Sequence, residues 1–98
     1  MNKKPENLLI QFFMRNGYIR QRNPEREKQL GQRYKKGYEV RLVAETQSEL
    51  KVIRQLVRRA GFKLSKPFHK KNQIVQPIYG KQAMTKFLLW EKELQENI

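Results

Sequence analysis

The sequence predicts an α+β fold with the order α-β-β-α-β-β-α, a four-stranded, mainly antiparallel sheet with helices on one face. Three observations carry that prediction. An apolar, helix-like run over residues 5–16 stops at Asn16-Gly17 and gives way at once to an alternating segment. Residues 38–45 alternate between apolar and polar positions and lead directly into a helix start at Thr46-Gln47-Ser48-Glu49. Two further strand-like arms, 62–68 and 73–79, precede Gly80 and a third helical pattern. A period near two residues marks strands and one near 3.6 marks helices, so the switches between them delimit the elements. At 98 residues the chain is expected to form one domain, 1–98, with one modest core.

In chain order, Pro5 suits a first helical turn, where its missing N–H costs nothing, and Glu6 complements the positive end of the helix dipole. Leu8, Leu9, Ile10, Phe12, Phe13 and Met14 spread around this helix, which is therefore expected to be buried on more than one side. Gly17 is free to take the positive φ that ends a helix. Beyond it a strand over 17–23 places Tyr18, Arg20 and Arg22 on one face and Ile19 and Gln21 on the other, until Pro24 stops it. Residues 24–37 show no period and read as a long polar connection.

The strand at 38–45 sends Tyr38, Val40, Leu42 and Ala44 one way and Glu39, Arg41, Val43 and Glu45 the other. Thr46 and Glu49 have the spacing of a capping box, in which hydroxyl and carboxylate satisfy each other's free amides. The helix that follows runs to about Ala60, with Leu50, Ile53, Val57 and Ala60 as its buried stripe, Val52 and Leu56 beside it, and Gly61 as its stop. The hairpin 62–79 turns at His69-Lys70-Lys71-Asn72, and Pro67 and Pro77 each remove a ladder donor, which points to edge positions or a bulge. Ala83, Phe87, Trp90 and Leu94 then sit at helical spacing, with Met84 and Leu88 widening the stripe.

Charge narrows the function. Net charge is +13, and self-repulsion of that size is relieved by a polyanion, so nucleic acid is the first partner to expect. The charge is concentrated: residues 15–36 hold eight Lys/Arg against two Glu, and residues 51–71 hold eight with no acid. There is no cysteine and one histidine, which leaves no disulfide and no zinc-ligand spacing, so no metal or cofactor is expected. No apolar run approaches the roughly 20 residues of a membrane span, and Leu8–Met14 lacks the cleavage site of a signal peptide. A cytoplasmic protein without a membrane partner is the expectation.

The element order, together with Ile10–Ile19, Tyr38–Leu42, Glu49–Gly61 and Ile78–Leu88, resembles the LAGLIDADG homing endonucleases over most of the chain. That family has an apolar signature helix ending in an acid and a glycine, followed at once by a strand. The resemblance implies a single repeat, hence a homodimer whose signature helices pack together through Leu9, Phe12 and Phe13. It also implies sheets lying over the major groove of a site with two related halves. The family's catalytic acid, which binds a divalent metal, falls here on Asn16, and the family's small contact residues are replaced by Gln11, Phe12 and Phe13, so either the two helices sit further apart or the dimer uses another surface. An amide is a weak ligand for Mg²⁺, so the resemblance implies DNA binding without the family's metal-dependent cleavage, with Mg²⁺ needed only if nuclease activity is retained.

The candidate interface divides by chemistry. Arg20, Arg22 and Arg41 on the strand faces suit base contacts, because a guanidinium reads guanine through two hydrogen bonds worth about 1–3 kcal/mol of discrimination. Arg26, Lys28, Arg33, Lys35 and Lys36 in the long connection suit phosphates. Lys63, Lys66, His69, Lys70, Lys71 and Gln73 belong to the second hairpin, which also faces DNA in the family. Arg54, Arg58 and Arg59 are expected on a solvated helix surface. Duplex DNA is favoured over RNA. The alternatives are a ribosome-associated or RNA-binding basic protein, and a small RNA-cleaving toxin using Arg41, Lys70, His69 and Tyr79.

Overall fold

A computed structural model describes residues 4–20 and 38–96. Its elements are α1 (Pro5–Asn16), β1 (Tyr18–Arg20), β2 (Glu39–Ala44), α2 (Gln47–Arg59), β3 (Phe68–Lys70), β4 (Gln73–Tyr79) and α3 (Lys81–Glu96). The four strands form one antiparallel sheet in the order β1-β2-β4-β3. The fold is thus α+β, and all three described helices lie against one face of the sheet. The end of the strand expected over 17–23 and the connection 24–37 fall outside the described residues.

Register explains the layering. Val40 pairs with Ile78, Leu42 with Gln76 and Ala44 with Ile74. Directly paired residues share a face, and Val40, Leu42, Ala44, Ile74 and Ile78 join Leu9, Ile10 and Phe13 of α1, Leu50, Ile53, Leu56 and Val57 of α2, and Ala83 and Phe87 of α3 in one core. Phe87 sits at its centre, its ring 5.4 Å from Phe13, 5.9 Å from Phe62 and 5.1 Å from Trp90. Burying such an aromatic contributes about 1.5–3 kcal/mol.

Gly17 does not take a positive φ. Its backbone is extended, at φ −79° and ψ 167°. Its reason is proximity: a Cβ here would lie 2.9 Å from the Arg41 carbonyl oxygen and 2.9 Å from Phe13 Cα. Glycine lets the chain turn from α1 into β1 while pressed against β2. Helix α1 is also less encircled than its composition suggested, because Met14 is exposed and Leu8 and Phe12 are half-buried.

Helix α2 begins as expected, the Thr46 hydroxyl accepting from the Glu49 amide at 3.1 Å. The return bond differs from a standard capping box: the Glu49 carboxylate accepts from the amide of Glu45 at 3.0 Å, one residue before the cap. Arg15 supplies the cause, since it pairs with the same carboxylate and also donates to the Val43 carbonyl at 2.9 Å. One guanidinium thereby ties the end of α1 to β2 and to the start of α2. At the other end Gly61 has φ 91°, its N–H meets the Arg58 carbonyl, and the Phe62 N–H reaches Val57, a Schellman closure. Val52, expected beside the buried stripe, is exposed.

The second hairpin is shorter than the sequence suggested. Strand β3 covers only Phe68–Lys70, and residues 62–67 form no strand. Their polar contacts go sideways instead: Arg54 Nη1 donates to the Ser65 carbonyl at 3.0 Å and to Gln76 Oε1 at 2.7 Å, while Gln76 Nε2 donates to Ser65 at 2.8 Å. Gln76 is fully buried, and this network satisfies it. Arg54 is therefore a structural tie, in contrast to the solvated position expected of it. Pro77 lies on an interior strand, yet past the point where the β3 ladder ends at Val75, so β4 has a partner on one side only there.

Candidate nucleic-acid interface

Strand alternation builds the opposite face of the sheet from the residues left over. Tyr18 pairs with Arg41 and Arg20 with Glu39. Arg41 in turn pairs with Pro77, Glu39 with Tyr79, Phe68 with Val75 and Lys70 with Gln73. No described helix covers this face. It gathers Arg20, Arg41 and Lys70 from three strands, together with two tyrosines, one phenylalanine and one carboxylate.

The side chains form a continuous chain of polar contacts. Arg20 Nη1 lies 3.6 Å from Glu39 Oε1, which accepts from Arg41 Nη2 at 2.9 Å. Arg41 Nη1 donates to the Tyr18 hydroxyl at 3.1 Å, and Lys70 Nζ donates to the same oxygen at 3.3 Å. The Arg41 guanidinium also lies 5.1 Å from the centre of the Phe68 ring and 5.7 Å from that of Tyr18, and the Lys70 ammonium lies 5.4 Å from Tyr18. These are cation–π distances, each worth about 0.5–1 kcal/mol at exposed sites.

Electrostatics follow from that geometry. Burial alone would push the Tyr18 hydroxyl up, but the hydrogen bonds and charges of Arg41 and Lys70 outweigh it and hold the phenol below the ordinary tyrosine value. Burial likewise opposes charge on Arg41, and Tyr18 and Glu39 overcome it. Elsewhere, the hydrogen bond from Arg15 holds the Glu49 carboxyl below the usual range.

The site residues foreseen from sequence separate into groups. Arg20, Arg41, Lys70 and Gln73 come together on the open face. His69 pairs with Ile74 and so points to the helix side at the sheet's edge, away from Tyr18 and Arg41. The set Arg41, Lys70, His69 and Tyr79 is therefore divided between two faces. Lys71 sits in the turn at φ 56°, and Lys63 and Lys66 are exposed in the connection before β3. Arg22, Arg26, Lys28, Arg33, Lys35 and Lys36 lie outside the described residues.

Arg41 is not a free base reader. Its side chain is 13% exposed and already committed to Glu39, Tyr18 and Phe68. Of the proposed helix contacts, Leu9 and Phe13 are buried in the chain's own core, whereas Phe12 lines an outer groove with Leu8, Gln11 and Arg15. Sequence reasoning missed Glu39 and Phe68 and gave Tyr18 no role. The i, i+2 spacing of Glu39 and Arg41 marks a shared face, but only the strand register brings Tyr18 and Phe68 to it.

At the foot of α1, Asn16 offers an amide and Arg15 a guanidinium, and the nearby carboxylate of Glu49 is held by Arg15. Among the described residues no cluster of three His, Cys, Asp or Glu could hold a metal ion, and no helix is long and apolar enough to cross a membrane. Compared with known proteins, the chain matches no protein-family model, no curated protein and no solved structure.

Proposed function

We propose that this chain is a double-stranded DNA-binding protein of LAGLIDADG-like fold that lays the open face of its sheet, and the tip of its second hairpin, on the duplex. The observation that carries the reading is the face, covered by none of the described helices, on which Arg20, Arg41 and Lys70 converge from three strands. A net charge of +13 gives that face a polyanion to meet. The order α-β-β-α-β-β-α, with β1-β2-β4-β3 antiparallel and the helices stacked on one side, supports the fold assignment. The outward groove at Leu8, Gln11 and Phe12 supports a homodimer built on α1.

The family's metal-dependent cleavage does not belong to this proposal. The donor set at the end of α1 is an amide beside a guanidinium, and a divalent cation needs carboxylate oxygens there. The test is fluorescence anisotropy with random duplex DNA and matched RNA across a salt series, with and without Mg²⁺, reading cleavage on the same samples. Duplex binding that falls steeply with salt, without cleavage, is the expected result. Tighter binding to RNA replaces this reading with the RNA-binding one. Absence of binding to either leaves the charge to be explained by another partner.

A further inference from the structure

The chain Arg20–Glu39–Arg41–Tyr18–Lys70 has features that stability does not explain. Glu39 Oε2 and Arg41 Nε are buried and have no hydrogen-bond partner among the described residues. Buried polar atoms left in this way cost free energy, and native proteins accept few of them away from functional sites. Three cations face a single carboxylate in the cluster, so it carries an excess of positive charge that its own residues do not neutralise.

The Tyr18 oxygen accepts from both Arg41 and Lys70, which turns its own proton away from them. Among the described residues that proton meets no acceptor. Among the described residues Lys70 spends one of its three donors on Tyr18, and the Arg20 side chain, 49% exposed, makes one long ion pair. Glu39 Oε2 and Arg41 Nε are buried, and the unspent groups at the exposed part of the face are donors: the Lys70 ammonium, the Arg20 guanidinium and the neutral Tyr18 hydroxyl. A group with several acceptor oxygens and a negative charge completes them.

We propose that Tyr18, Lys70 and Arg20 form a seat for one backbone phosphate, with the Tyr18 hydroxyl donating to a phosphate oxygen. Arg41, held between Glu39 and Phe68, is a positioning residue: it fixes the direction of the Tyr18 proton and does not itself touch the phosphate. The seat rests on the DNA-binding reading and makes it specific. It assigns the centre of the sheet to backbone contact, which leaves base reading to the periphery of the face, where Gln73 and Tyr79 are exposed.

The experiment labels the ζ carbon of tyrosine with ¹³C and follows the four tyrosine signals as a short duplex of arbitrary sequence is added. The Tyr18 signal is the one absent from Tyr18→Phe. Anisotropy salt series on wild type, Lys70→Gln, Arg41→Lys and Tyr18→Phe run alongside, with thermal unfolding to check that each variant is folded. The seat predicts that the Tyr18 signal shifts with saturating duplex. It also predicts that Lys70→Gln lowers the salt slope by about one phosphate contact, and that Tyr18→Phe weakens binding without changing the slope. Arg41→Lys keeps the charge but loses the fork, so it should reduce affinity with the slope retained.

Wild type that binds duplex while the Tyr18 signal stays still and Lys70→Gln keeps its slope overturns the seat and leaves the DNA-binding reading standing. Shifts with an RNA duplex and none with DNA retain the seat and overturn the choice of DNA. Failure of wild type to bind any duplex overturns both.

Discussion

On the helix side of the sheet, Val40, Leu42, Ala44, Ile74 and Ile78 meet three helices in a continuous apolar core. On the other side, the residues between them place Glu39, Arg41, Tyr18, Arg20 and Lys70 in a layer held by ion pairs and cation–aromatic contacts. The first face draws its stability from removing apolar area from water, a large and non-directional effect. The second depends on contacts individually worth about 1 kcal/mol or less, and it leaves two buried polar atoms without a partner among the described residues. The same strands therefore carry one face closed by helices and another on which Arg20, Lys70 and Tyr18 keep donors that meet no acceptor among the described residues. Mutations on the two sides should separate stability from binding.

The largest effect should come from the centre of the helix side. Phe87→Ala removes the ring shared by Phe13, Phe62 and Trp90, and should cost about 3–5 kcal/mol in urea unfolding. The folded fraction should bind duplex as before. A cost below about 1 kcal/mol would mean that the core is not centred there.

Gln76→Leu follows, because it removes the shorter of Arg54's two acceptors and one of the donors to the Ser65 carbonyl, at about 1–3 kcal/mol. Gly17→Ala should cost a similar amount, about 1–3 kcal/mol, through its clash with the Arg41 carbonyl and Phe13. Of these two only Gly17→Ala joins the faces: pushing β1 from β2 moves Tyr18 off Arg41, so duplex affinity should fall along with stability. If affinity is unchanged, the outer layer does not depend on that close approach.

Smaller still is the acid response of the Arg15–Glu49 tie. The Glu49 carboxyl lies below its ordinary value, so its contribution is complete above the ordinary carboxylate pKa and is lost as pH falls through the lowered one. Glu49→Gln should flatten the loss of stability below about pH 4, by less than about 1 kcal/mol because the pair is partly exposed. An unaltered acid limb in denaturant melts would remove the tie as its source. Smallest in stability is Arg20→Ala on the open face, expected within about 0.5 kcal/mol of wild type yet weaker in duplex binding. Equal affinity for both proteins would take Arg20 out of the interface.

The fold class was legible because its signals are local. Thr46 and Glu49 announce a helix start whatever surrounds them, Gly61 closes that helix with a positive φ, and residues 39–44 alternate where β2 forms. Pro5 and Asn16 bound α1 as its pattern suggested. Less was legible where a partner decides the outcome. The arm 62–68 has strand-like residues, yet Arg54 and Gln76 claim the Ser65 carbonyl and only Phe68–Lys70 pair. Gly17 was read by its freedom of φ, whereas its role is the absence of a side chain near Arg41 and Phe13.

The candidate site divides along the same line. Sequence by itself determined that the chain is strongly basic, that its strands alternate, and that Arg20 and Arg41 stand on faces opposite their apolar neighbours, because charge and period are properties of consecutive residues. Only the tertiary structure decided that Tyr18, Arg41 and Lys70 share one phenol oxygen, that Glu39 lies beneath them, and that His69 is turned to the other side. Those relations join residues up to 52 positions apart. They depend on which strands pair and in what register, and a shift of one residue would exchange the two faces.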